Sequence, residues 1–278
     1  MREPSANPCA GITRIRFIRS AAHSRPLSPW PRAPVTAPMV PAKPGHAIIV
    51  AVSLSPADAE GPLRRERLRT ARLYFVCDAN PHGQDPEPLL RAALDGGANI
   101  VQLREKQLSR RAIERAGATF RRLTDTYSAL FIVNDDPELA RACDADGVHV
   151  GQDDAAVTEA REVLGPDAII GLSTHTTDQI LEAKGADYIS VGPIWETPTK
   201  QGRAAVGLGL IHYAAEVATT PFFAIGGIDA SNAANVVGAG ARRLCVVRAI
   251  RDADDPAAAA AELRRSFAPA GGGVYPGG

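Results

Sequence analysis

Residues 99–134, NIVQLREKQLSRRAIERAGATFRRLTDTYSALFIVN, read as a strand, a helix and the next strand. The runs at 99–103 and 130–134 are short and rich in Ile, Val and Leu, while 109–127 carries apolar residues at helical spacing. Strands written this way are buried on both faces, as happens when helices cover a parallel sheet from either side. The alternation extends outward in both directions, with further apolar runs at 72–77, 147–150, 168–171, 188–191, 222–225 and 243–247. Helical patterns lie between them at 86–95, 155–164, 178–184 and 231–239. Eight such units in about 200 residues predict an α/β fold of the TIM (β/α)8 barrel type at the short end of its size range. A doubly wound open sheet is the alternative, but it would have fewer strands and a GxGxxG turn after the first. Cys77 is followed instead by Asp78-Ala79-Asn80-Pro81.

The rest of the 278-residue chain is different in kind. Eleven of the 22 prolines precede residue 63, together with Arg14, Arg16, Arg19, Arg25 and Arg32, and no apolar periodicity runs through that stretch. Residues 1–62 are therefore expected to be a disordered extension, with an Arg-rich targeting segment or a binding arm as alternatives. Residues 63–69 (LRRERLR) read as a polar lead into a catalytic domain spanning 63–268, and 269–278 as a flexible tail. Hydrophobic residues at 45% and charged residues at 22% suit a globular protein with a sizeable core. Lys+Arg and Asp+Glu both total 31, so no bulk field favours nucleic acid or an anionic membrane. Cys9, Cys77, Cys143 and Cys245 are far apart and lack CxxC spacing. They predict neither a disulfide framework nor a zinc site, but thiols in a reducing cytoplasm.

In such a barrel the chemistry belongs at the C-terminal ends of the strands, and polar residues gather there in this sequence. Alternation in VQLREK puts Gln102, Arg104 and Lys106 on one side of an extended segment, an array suited to a polyanion beside a hydrogen-bonding ring. Asp135 and Asp154 follow adjacent strands and could share a hard cation such as Mg²⁺, whose shell substrate phosphates and water complete. A single Asp at a strand end can equally be a turn or helix cap, and Asp136 before Pro137 fits a cap best. Gly226-Gly227 after strand seven and 247–249 after strand eight occupy the usual phosphate position of these barrels. Two anion sites emerge. Ser173 has His175 nearby but no evident third group, so no nucleophilic constellation stands out.

Read together, VQLREK (101–106), VNDD (133–136), GVHVGQDD (147–154), GLSTHT (171–176), VGPIWETPTK (191–200), AIGGI (224–228) and VVRAI (246–250) resemble the thiamine phosphate synthase family. The resemblance implies a transferase that joins hydroxymethylpyrimidine diphosphate to thiazole phosphate, releasing diphosphate. By position, it implies that Gln102 meets the aminopyrimidine and that Arg104, Lys106, Asn134, Ser173 and Lys200 surround the diphosphate. Arg104, Lys106 and Lys200 would act on the leaving group, and Asp135 and Asp154 would hold Mg²⁺. Thr197, Thr199, Gly227, Val247 and Arg248 would receive the thiazole phosphate, with Arg248 standing where many members have Ser. Small-molecule substrates are the implied partners, with neither nucleic acid nor membrane involved. The rival readings are a thiazole tautomerase-like relative, which would not need the diphosphate set, and a non-catalytic barrel that binds precursors.

Overall fold

The computed structural model describes residues 56–197 and 204–268. Eight parallel strands close on themselves in chain order: β1 (Leu73–Cys77), β2 (Ile100–Leu103), β3 (Leu130–Asn134), β4 (Gly147–Val150), β5 (Ile169–Thr174), β6 (Tyr188–Val191), β7 (Phe222–Ile225) and β8 (Leu244–Val246). The register that begins with Tyr74 opposite Ile100 ends with Tyr74 opposite Cys245, so β1 pairs on both edges and no edge is left open. The expected barrel is the observed one. Strand β5 runs past the expected end at residue 171, because Ser173 and Thr174 continue the ladder opposite Ser190 and Val191.

Helices α2 (Glu87–Asp95), α3 (Arg110–Tyr127), α4 (Pro137–Ala142), α5 (Val157–Leu164), α6 (Thr177–Glu182), α7 (Gly207–Val217) and α8 (Ala233–Gly238) follow the first seven strands, and α9 (Arg248–Arg251) and α10 (Pro256–Arg265) follow the eighth. Several begin where a side chain satisfies an otherwise unpaired N–H. Asp136 accepts from the Leu139 N–H at 2.9 Å, as expected of a residue before an N1 proline, and Asp255 accepts from Ala258 at 2.9 Å. Among the described residues no helix is long and apolar enough to cross a membrane.

The pleat separates two cores. Outward-facing Phe75, Val101, Leu103, Phe131 and Val133 pack under the helices, and Tyr74, Ile100, Leu130, Ile132, Ile169, Tyr188 and Phe223 fill the barrel. Tyr74, Tyr188 and Phe223 meet edge to face, with centroids 5.3–5.9 Å apart. Room for Tyr188 comes from Gly171, where a Cβ would lie 2.1 Å from the Tyr188 ring.

The N-terminal mouth is closed by α1 (Pro56–Thr70), which begins upstream of the boundary expected at residue 63. Its Leu68 and the following Ala71 join the interior core, so residues 63–69 contribute an anchor as well as a polar lead. Arg64 Nε donates to Asp146 Oδ1 at 2.9 Å while Arg121 pairs with Oδ2 at 3.1 Å, and Asp146 also accepts the Phe131 N–H at 2.8 Å. Asp187 repeats the arrangement, with Arg161 at 2.6 Å and the Ile170 N–H at 2.8 Å.

Candidate active site

At the opposite mouth lies a cavity of about 330 Å³. Gln102 and Ser173 reach it from inward positions on β2 and β5 and are 4% and 2% exposed. Arg104, just beyond β2, and Asn134, at the end of β3, line the wall between them. Across the cavity stand Thr197, Gly227, Val247 and Arg248. Thr199 and Lys200 lie outside the described residues.

The glycines at 226 and 227 have φ of +106° and +70°, conformations that side chains with a Cβ rarely adopt. A Cβ on Gly226 would also sit 2.4 Å from Pro193 Cα. Close backbone approach is thus built into the wall where an anion was expected. Arg248 opens α9, is exposed, and is among the residues that line the cavity.

Lys106, Asp135 and Asp154 form a second group beside this cavity. Lys106 Nζ stands 3.1 Å from Asp135 Oδ2. Burial holds the Asp135 carboxyl above the usual carboxylate range; the Lys106 contact opposes this and the facing Asp154 carboxylate adds to it. Asp154 is itself oriented by the Gly151 N–H at 2.6 Å. Asp135 has φ +66°, an uncommon conformation for a residue other than glycine, and its N–H is tied to the His149 carbonyl at 2.8 Å. Among the described residues no group of three or more His, Cys, Asp or Glu gathers as a metal site. Asp135 with the facing Asp154 carboxylate nevertheless fits Mg²⁺, which commonly takes one or two carboxylates and completes its shell with phosphate oxygens and water.

Among the cavity residues that the sequence did not assign to the site are Tyr74, His149, His175, Ser190 and Asp252. Tyr74 lies in the apolar run LYFVC and looks like core, and only the parity of the strand, with Tyr74 and Val76 inward, could have flagged it. Ser173 is joined not to His175 but to His149, whose Nε2 lies 3.0 Å from Ser173 Oγ. His175 turns to the Gly192 carbonyl, with Nδ1 at 2.5 Å.

Fold and site define a (β/α)8 barrel with one cavity at its C-terminal mouth, the class in which small molecules are handled at that mouth. Residues 73–250 match the family model described as thiamine monophosphate synthase. The chain is 47% identical over 218 residues to a thiamine-phosphate synthase of Mycobacterium bovis, covering 74% of this chain and 98% of that protein. It is 46% identical over 198 residues to one from a Nostoc species, covering 70% of this chain and 56% of that protein. Among solved structures, the thiamine phosphate pyrophosphorylase of Pyrococcus furiosus superposes with a TM-score of 0.66 at 36% identity, over 73% of this chain and 96% of that one. The chain belongs to the thiamine monophosphate synthase family.

Proposed function

We propose that this chain is a thiamine phosphate synthase, a transferase that moves the pyrimidinylmethyl group of hydroxymethylpyrimidine diphosphate onto the nitrogen of thiazole phosphate. The observation that carries this reading is the convergence, on one cavity, of Gln102, Arg104, Asn134 and Ser173 with the glycine-lined wall at 226–227 and the start of α9. The bond between the pyrimidine methylene carbon and the diphosphate oxygen breaks. The electron pair leaves with diphosphate, and the thiazole nitrogen supplies the pair for the new C–N bond. Arg104 and Lys106 carry the charge that grows on the leaving oxygen, and Lys200 is assigned the same task. Asp135 and Asp154 would hold Mg²⁺, which when bound supplies Lewis-acid stabilisation of the departing phosphate. Thr197, Thr199, Gly227, Val247 and Arg248 are assigned to the thiazole phosphate, and Gln102 to the aminopyrimidine.

A cytoplasmic location accords with three buried cysteines, Cys77, Cys143 and Cys245, that form no disulfide among the described residues. The purified protein, given both precursors and Mg²⁺, should form thiamine phosphate, followed by fluorescence after oxidation. Absence of product under these conditions would overturn the reading.

A further inference from the structure

The polar groups inside the barrel make a continuous chain. Gln102 Nε2 donates to the Tyr74 hydroxyl at 2.7 Å, the Tyr74 and Tyr188 hydroxyls are 2.9 Å apart, and Tyr188 Oη lies 3.0 Å from His149 Nδ1. His149 Nε2 then meets Ser173 Oγ at 3.0 Å, with Ser190 Oγ at 3.4 Å. Proton counting gives this chain a direction. An amide nitrogen only donates, so Tyr74 oxygen accepts and its single proton goes to Tyr188. Tyr188 must then give its own proton to His149 Nδ1, which leaves the imidazole proton on Nε2, facing Ser173. Ser173 accepts that proton's hydrogen bond, so its own hydroxyl hydrogen is left for the cavity that it lines.

We infer that Tyr74, Tyr188 and His149 are positioning residues whose one-way hydrogen-bond chain makes Gln102 present its carbonyl, and Ser173 its hydroxyl hydrogen, to the substrate. The inference deepens the synthase reading and rests on it. A carbonyl at Gln102 matches the donor character of an exocyclic amino group and disfavours a pyrimidine bearing a carbonyl there. A donor at Ser173 matches a diphosphate oxygen. Burial pushes both phenols well above their ordinary range, which keeps each tyrosine a donor with one proton. The same direction bears on a superficial likeness to a catalytic triad. In a triad the third group accepts from Nδ1 and leaves Nε2 bare to take the serine proton. Here Tyr188 donates to Nδ1 and Nε2 is already protonated, so Ser173 has no base.

The test compares dissociation constants, which do not depend on turnover. The ligands are the monophosphate of 4-amino-5-hydroxymethyl-2-methylpyrimidine and its 4-oxo counterpart, titrated calorimetrically into the whole protein. The unmodified protein should prefer the amino compound, and Tyr74→Phe, which frees the Gln102 amide to turn over, should lower that preference by about tenfold. Loss of packing alone would weaken both ligands together and leave the ratio in place. No preference in the unmodified protein, or a variant ratio within about twofold of it, overturns the inference. Should Tyr74→Phe fail to fold, ¹⁵N NMR of the unmodified protein decides, with the His149 signals assigned by comparison with His149→Gln. A bare Nδ1 and protonated Nε2 are expected, and the opposite tautomer overturns the chain's direction. The synthase reading is judged separately, by product formation in the unmodified protein.

Discussion

The two mouths of the barrel treat charge in opposite ways. At the N-terminal mouth, Asp146 and Asp187 are each held by arginines and by a backbone N–H, so charge is spent on closing the end. At the C-terminal mouth, Arg104 and Arg248 line an open cavity, and Asp135, paired with Lys106 at 3.1 Å, also sits beside a second carboxylate, Asp154. Removing one partner at the closed end would leave a buried charge uncompensated, whereas charge at the open end is presented to whatever enters the cavity. The difference teaches that a residue's type says little until it is known which end of its strand it occupies.

Removing a cation from the open mouth should break the comparison hardest. Arg104→Ala is expected to lower kcat by on the order of 100-fold or more, with a melting temperature close to that of the unmodified protein, judging from the loss of one preorganised donor. Steady-state kinetics alongside thermal unfolding would settle it, and a normal kcat at saturating substrate removes Arg104 from the leaving-group role.

At the closed mouth the pattern should invert. Asp146→Ala leaves Arg64 and Arg121 without their shared partner and the Phe131 N–H uncapped, which should cost about 3 kcal/mol of stability. The fraction that remains folded should keep its kcat. Urea titration measures the first and active-site-normalised kinetics the second.

Asp135→Asn sharpens the contrast, because stability and activity should part company. A carboxyl whose folded pKa is raised contributes stability at acid pH that is lost as pH rises through the raised value. Asparagine cannot ionise, so the variant should show less of that loss near neutral pH in metal-free buffer, while turnover falls steeply. Unfolding followed across pH checks the sign, and an unchanged rate with unchanged Mg²⁺ dependence removes Asp135 from the site.

Gly171→Ala tests the interior that joins the two ends. The new Cβ would collide with the Tyr188 ring, costing about 1–3 kcal/mol as overpacking does. The smallest effect is expected from a chain beginning at Leu63, which keeps Arg64 and Leu68 and should fold with full activity. Insoluble or inactive protein would show that upstream residues belong to the domain.

Much of this is legible in the sequence. The strand at 130–134 appears with the bounds expected of it, and the strand-end residues Gln102, Arg104, Asn134 and Ser173 do meet around one cavity. Helix α10, with its run of alanines, and the anchoring role of α1 were not legible, because neither carries a long apolar stripe. Tyr74 and Tyr188 were hidden for a different reason. A tyrosine inside an apolar run looks like packing, and its hydroxyl acquires a role only when a partner arrives from another strand.

By itself, the sequence determined what is periodic or local: eight buried strands, the order in which they alternate with helices, the cap at Asp136, and the glycine pair at 226–227. These follow from side-chain spacing and backbone sterics, which act within a few residues. Only the tertiary structure decided that His149 rather than His175 meets Ser173, that Asp135 faces Asp154, and that Gln102, Tyr74, Tyr188 and His149 share one chain of hydrogen bonds. Those pairings depend on barrel closure and strand register, which bring together residues from separate strands, and hydrogen bonds have a range of only about 3 Å.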